Sequence, residues 1–219
     1  MLPCCISPML AAKAEGPFDS EQHLFEVKWD GIRCLAFIEH GRARLQSRHL
    51  TEITLQFPEL AGLARLPSGT VLDGELVLFQ SGKPSLDQIR KRALLQSRAR
   101  IEHSSHATPA SYIVFDLLFL ERRSLMAAPL QVRRAALIKL HGQFPSCGFL
   151  LSEAINRSGR ALYAAVLRLG LEGVMAKRFD APYLPGKRSR LWLKIKPGVK
   201  TGQRPDPGTA GQEMSPCQP

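Results

Sequence analysis

The 219-residue chain is 44% hydrophobic and 22% charged, with 30 Lys and Arg against 19 Asp and Glu for a formal charge of +11. This composition excludes a disordered chain and supplies apolar material for one good-sized core, while the basic balance favours polyanionic partners, nucleic acid ahead of an anionic membrane. Five cysteines, odd in number and without a C-x-x-C pair, argue against a disulfide framework or a zinc site, and no apolar run reaches membrane-spanning length, so a reduced cytoplasmic protein is expected.

In chain order, residues 1–20 are broken by Pro3, Pro8, Gly16 and Pro17 and predict an irregular lead-in, without the basic n-region of a signal peptide. Six segments have strand composition: Leu24–Lys28, Arg33–His40, Val71–Phe79, Tyr112–Leu120, Gly173–Arg178 and Leu191–Lys196. Between them Phe57–Leu66 and Leu86–Arg100 read as helices, the second carrying Ile89, Ala93 and Leu94 among arginines. Leu130–His141 follows Pro129, which suits a first helical turn. Ser158 can cap a helix through Leu162, Val166 and Leu169 that Gly170 ends. Interleaved strands and helices with short connections predict an α+β domain over residues 21–197, made of twisted, mostly antiparallel sheets flanked by helices. Gly, Pro, Thr and Gln dominate residues 198–219, where a disordered tail is expected.

Strand side chains alternate between two faces. In Leu191–Lys196 this puts Leu191, Leu193 and Ile195 on one face and Trp192, Lys194 and Lys196 on the other. The two lysines then stand roughly 7 Å apart, a comb suited to a phosphate. Phe25 and Val27 turn to the core while Glu26 and Lys28 turn away from it. Leu72, Leu76 and Leu78 form one row, with Asp73 and Glu75 projecting opposite beside Val71 and Val77. An apolar face and a wet face explain any one of these strands; they do not explain the short strings the strands carry.

Lys28-Trp29-Asp30-Gly31-Ile32-Arg33 has the form K-x-D-G-x-R and resembles the signature of the covalent nucleotidyltransferases: DNA ligases, RNA ligases and mRNA-capping guanylyltransferases. Ser47-Arg48, Leu72-Asp73-Gly74-Glu75, Tyr112-Ile113-Val114-Phe115-Asp116, Leu171-Glu172-Gly173-Val174-Met175-Ala176-Lys177 and Trp192-Leu193-Lys194-Ile195-Lys196 resemble that superfamily's further blocks, in its order. Ser7-Pro8-Met9-Leu10-Ala11 and Pro182-Tyr183-Leu184-Pro185-Gly186 look like the ligase part of bacterial end-joining DNA ligases. The resemblance implies the adenylation domain of an ATP-dependent DNA ligase, with the nucleotidyltransferase (ATP-grasp-like) fold, acting on nicked double-stranded DNA at the bacterial nucleoid.

It also implies roles. Lys28 would attack the α-phosphate of ATP, expel pyrophosphate and carry AMP as a phosphoramidate. Only a neutral lysine is nucleophilic, and Lys194, Lys196, Arg33 and a bound cation would favour loss of its proton. Gly31 would supply the tight turn after the nucleophile. Glu26 would lie near the adenine and specify it, Arg33 and Arg48 would contact ribose or phosphate, and Phe115 would stack on the base. Glu75 would bind ribose and assist a metal, and Glu172 would hold the catalytic cation, Mg²⁺ or Mn²⁺. Lys194 and Lys196 would neutralise charge developing on the α-phosphate.

Other residues read more plainly. The six histidines lack metal-ligand spacing, and Arg90, Arg92, Arg98 and Arg100 divide between a solvated helix face and contact with the DNA backbone. Where these ligases carry a residue and then glycine after the second block, this chain has His49-Leu50, which predicts a differently shaped loop beside Arg48. The oligonucleotide-binding-fold domain usual after the fifth block is expected to be absent, which leaves three readings: an adenylation module completed by a separate OB-fold or end-joining partner, a truncated or decaying ligase that binds nucleotide poorly, or a minimal ligase that seals nicks inefficiently by itself. An RNA ligase, a GTP-using capping enzyme or a non-catalytic DNA-binding remnant stay open as alternatives.

Overall fold

The structure, a computed structural model, describes residues 2–197; the tail expected over 198–219 lies outside the described residues. The alternating segments form two sheets. The first contains β1 (Leu10–Lys13), β2 (Ser20–Val27), β11 (Ala154–Arg157), β12 (Val174–Arg178) and β13 (Arg188–Ile195), in the order β1-β13-β12-β2-β11. The second runs β10-β8-β5-β3-β4, from β3 (Ile32–Glu39), β4 (Arg42–Ser47), β5 (Thr70–Val77), β8 (Ser111–Leu120) and β10 (Leu150–Leu151), with β9 (Arg123–Ser124) paired to β8. A small hairpin of β6 (Phe79–Gln80) and β7 (Lys83–Pro84) stands apart. Most pairings are antiparallel; β1–β13 and β8–β10 are parallel.

Helices cover the outer faces. Leu72, Leu76 and Leu78 do form one apolar row. They pack with Cys34, Ala36, Ile38 and Tyr112 under a 3₁₀ helix (Pro58–Arg65), α1 (Leu86–Ala93) and α3 (Leu130–Gln143). A second helix, α2 (Arg98–Ala107), follows α1. Behind the first sheet, Val166 of α4 (Gly159–Arg168) covers Phe25, Val174, Ala176 and Ile195. Between the sheets Phe37, Val71 and Phe115 meet Met9, Tyr183 and Trp192. Layers of helix, sheet, sheet and helix thus realise the expected α+β architecture, and the inner gap is where charged faces can meet.

Several expectations need correction. The lead-in is not irregular throughout: Leu10–Lys13 pairs in parallel with β13, and Leu2, Ile6 and Met9 are buried between the sheets. Leu86–Arg100 is two helices, because Gln56 Nε2 donates to the Leu95 carbonyl while Arg92 donates to the Gln56 carbonyl and to Glu59. Those long-range bonds hold residues 94–97 out of the helix. Phe57–Leu66 is a 3₁₀ helix opened by Pro58. Ser158 occupies the cap position of α4, yet its side chain makes no capping bond. Leu191 leaves the expected row with Leu193 and Ile195 and packs against the inter-sheet cluster. In the loop after Arg48, Leu50 takes φ 64°, a left-handed conformation that glycine adopts more cheaply.

Candidate active site

Strands β2 and β3 belong to different sheets, so the turn Lys28–Gly31 between them crosses the gap. The crossing is tight. A Cβ on Gly31 would strike the Leu76 carbonyl and lie 2.9 Å from Glu75 Cγ, so the chain passes against β5 only because the residue is glycine. The Lys28 N–H donates to the Gly173 carbonyl at 2.9 Å. Gly173 itself sits at φ 148° with its Cβ position blocked by the Ile195 carbonyl. Nucleophile turn, fourth block and fifth block are therefore fastened to one another through backbone.

A cavity of about 740 Å³ opens at this crossing, and Glu26, Lys28, Arg33, Arg48, Glu75, Phe115, Glu172, Lys194 and Lys196 all line it. Every site residue expected from the sequence is thus brought to one cavity, although they come from both sheets and from positions 26 to 196. Lys28 Nζ donates to Glu172 Oε2 and Lys196 Nζ pairs ionically with Glu172 Oε1, so one carboxylate bridges two lysines. Lys194 is held below the usual lysine range by burial and by Arg188, Lys196 and Lys28 around it. Burial pushes the Glu75 carboxyl up to about 7 against the pull of Arg33 and Lys28, with Asp73 and Glu172 adding to the rise. Asp30 also lies above the carboxylate range, through burial and the nearby Glu172.

The structure adds a shell of partners that the sequence did not disclose. Arg33 Nε and Nη2 grip Asp73 bidentately at 2.5 and 2.6 Å, and the Tyr183 hydroxyl donates to the same carboxylate at 2.6 Å. Burial disfavours the Arg33 charge, but Asp73 more than offsets it and holds the guanidinium protonated. Glu26 is 2% exposed, with Arg134 on one oxygen at 2.7 Å and Lys177 on the other at 2.6 Å. Lys177 is fully enclosed, and burial pulls its amine down despite Glu26. Its Nζ lies 4.0 Å from the Phe115 ring centroid, and the Arg33 guanidinium carbon lies 4.6 Å from it. The ring expected to meet a base is already flanked by two cations. Asp73 and Lys177 stood inside the quoted blocks. Their signal was a charge in an otherwise apolar strand, which demands a partner but does not name it.

The family of the ATP-dependent DNA ligase domain matches residues 8–196. The chain is 34% identical over 87% of its length to the SPbeta prophage-derived DNA ligase-like protein LigB of Bacillus subtilis, of which it covers 67%. It is 36% identical to the multifunctional non-homologous end joining DNA repair protein LigD of Mycobacterium tuberculosis, covering 87% of this chain and 24% of LigD. DNA ligase C1 of Mycolicibacterium smegmatis is also 36% identical, with 86% and 56% covered. The chain therefore spans between about a quarter and two thirds of these curated relatives. Among solved structures, mycobacterial DNA ligase D complexed with ATP and MES superposes with a TM-score of 0.73 at 33% identity, over 87% of this chain and 60% of that one. The ligase domain of M. tuberculosis LigD gives 0.73 at 34%, over 87% and 59%. With the six blocks gathered on one cavity and the family matched over 8–196, the chain belongs to the ATP-dependent DNA ligase domain family.

Proposed function

We propose that this chain forms a covalent lysyl-AMP at Lys28 from ATP, passes AMP to the 5′-phosphate at a DNA nick, and supports sealing by the 3′-hydroxyl. The observation that carries this reading is the convergence of Lys28, Lys194, Lys196, Glu75 and Glu172 on one cavity. In the first step the Lys28 Nζ–phosphorus bond forms as the bond to pyrophosphate breaks, and Nζ gives up a proton. Glu172 Oε2 already accepts a hydrogen bond from that amine, which makes it the nearest acceptor for the proton. Lys194 and Lys196 would neutralise the charge that develops on the α-phosphate. In the second step an oxygen of the DNA 5′-phosphate attacks the AMP phosphorus, the P–N bond breaks and the amine is restored. In the third the 3′-hydroxyl displaces AMP.

Glu75 and Glu172 are the residues that would hold Mg²⁺ or Mn²⁺. Among the described residues no group of three or more His, Cys, Asp or Glu converges as a metal cage, and a site of one or two carboxylates completed by phosphate oxygens suits Mg²⁺. Such an ion supplies Lewis-acid neutralisation of phosphate charge. Glu26, fixed by Arg134 and Lys177, and Phe115 form the wall assigned to adenine, with Arg33 and Arg48 assigned to ribose and phosphates. Nicked double-stranded DNA in repair or recombination at the bacterial nucleoid is the substrate class, and a separate OB-fold or end-joining partner would clamp it. Among the described residues no helix is long and apolar enough to cross a membrane.

The test is incubation with α-labelled ATP and Mg²⁺ beside Lys28→Ala, followed by a denaturing gel. A band that survives denaturation in the wild type and is lost in the variant supports the reading. A band that persists in Lys28→Ala, or none from folded protein supplied with an OB domain, sinks it. Labelled GTP in parallel separates a ligase from a capping-type enzyme.

A further inference from the structure

The cavity extends past the nucleophile to a wall that no block contributes. Leu86, Arg90, Ala93 and Leu94 line it, at spacings i, i+4, i+7 and i+8, so they share one face of α1 and its C-terminal cap. Ile89 and Arg92 turn the other way and are buried. Arg90 is the one charged residue on the cavity face. Its neighbours are paired, Lys91 with Asp87 and Arg92 with Glu59, while no ion pair among the described residues takes Arg90. Arg90 lines the same cavity as Lys28 and Asp30 of the nucleophile turn. Leu94 on the same face is 78% exposed and, with Leu86 and Ala93, makes the rest of this wall apolar.

We infer that this face of α1 seats the 5′-phosphate end of the broken DNA strand, with Arg90 on the terminal phosphate and Ala93 and Leu94 against the adjoining sugar and base. This rests on the reading of Lys28 given above. If AMP is carried on Lys28, the phosphate oxygen that attacks it must enter this same cavity. The β13 side already presents Lys194, Lys196 and Arg188. The α1 side offers one unspent cation beside an apolar strip, which matches a nucleotide's charged phosphate and apolar sugar–base surface. A guanidinium also binds phosphate in a defined geometry that an ammonium does not reproduce.

The experiment uses the whole chain, pre-adenylated with ATP, and measures binding to nicked duplex ending in a 5′-phosphate or a 5′-hydroxyl. Wild type, Arg90→Gln and Arg90→Lys are compared over a range of salt. The wild type is expected to prefer the phosphate end. Arg90→Gln is expected to lose about tenfold or more of that preference, the scale of a charge-assisted hydrogen bond, and Arg90→Lys to recover part of it. The logarithmic salt slope should fall by roughly one in Arg90→Gln. Unchanged preference in Arg90→Gln overturns the assignment. So does an equal loss on both ends, which would put Arg90 on a backbone phosphate, or a loss confined to lysyl-AMP formation, which would put it on ATP. A wild type that forms no lysyl-AMP at all breaks the underlying reading instead, and the adenylation gel detects that separately.

Discussion

Replacing Glu75 by glutamine removes a carboxyl that the fold keeps protonated up to about pH 7 while keeping the side chain's size. Burial raises this group from 4.5 to about 7. Each unit corresponds to about 1.4 kcal/mol, so ionising the folded site costs about 3 kcal/mol relative to the unfolded chain. The sign follows from proton counts. Between pH 4.5 and 7 the unfolded chain has released this proton and the folded chain still binds it, so folded stability falls as pH rises through that window. Below 4.5 both states are protonated, and above 7 both are ionised, so the contribution is flat on either side. Glu75→Gln does not titrate there. Its stability advantage over wild type should grow from near zero at pH 4.5 to about 3 kcal/mol at pH 7.5, measured without ATP or metal. In urea unfolding this is a midpoint difference of roughly 1–2 M at the upper pH. The same variant is expected to lose lysyl-AMP formation. A gap between the two proteins that stays constant from pH 4.5 to 7.5 would refute the reasoning, because it would mean that the carboxyl titrates alike in both states.

Three further substitutions probe the frame. Asp116→Ala strips Arg133, 0% exposed and bonded to that carboxylate at 2.8 Å through two nitrogens, of its counter-charge. Urea unfolding should show a loss of about 3–5 kcal/mol. Gly173→Ala forces a Cβ onto the Ile195 carbonyl at φ 148° and shifts the backbone carbonyl that Lys28 binds. It is expected to cost about 2 kcal/mol or more in stability and to reduce the labelled adduct sharply. Leu50→Gly relieves a left-handed residue on an exposed loop and should raise stability by about 0.5–1 kcal/mol, seen as a higher melting temperature.

The parts of the site legible in the sequence were those governed by local period and by strings of defined order. Alternation alone separated Lys28 from Val27, Glu75 from Leu76 and Lys194 from Leu193, and in each pair the charged residue lines the cavity while its neighbour packs in an apolar cluster. Pairings between distant positions were not legible. Glu26 meets Lys177 across 151 residues and Arg134 across 108, and no spacing rule connects them. Strand β1 was missed for the same reason, since it is four residues long and finds its partner near the far end of the described chain. The break after α1 depends on Gln56, nearly forty residues upstream. Arg92 shows the limit most clearly. Composition grouped it with Arg90, Arg98 and Arg100, yet tertiary contacts bury it as a structural clamp on Gln56 and Glu59.

The pairing of β1 with β13 also bears on how the protein is born. Strands β3, β4, β5 and β8 follow one another along the chain and neighbour one another in their sheet, so that half can close while later residues are still on the ribosome. The other sheet places its first strand against its last, and must wait for residue 195 to emerge. Arg33, Glu75 and Phe115 would be in place early, and the lysine comb would arrive last. A chain stalled during synthesis therefore holds half a cavity without Lys194 and Lys196, which come only with the end of β13.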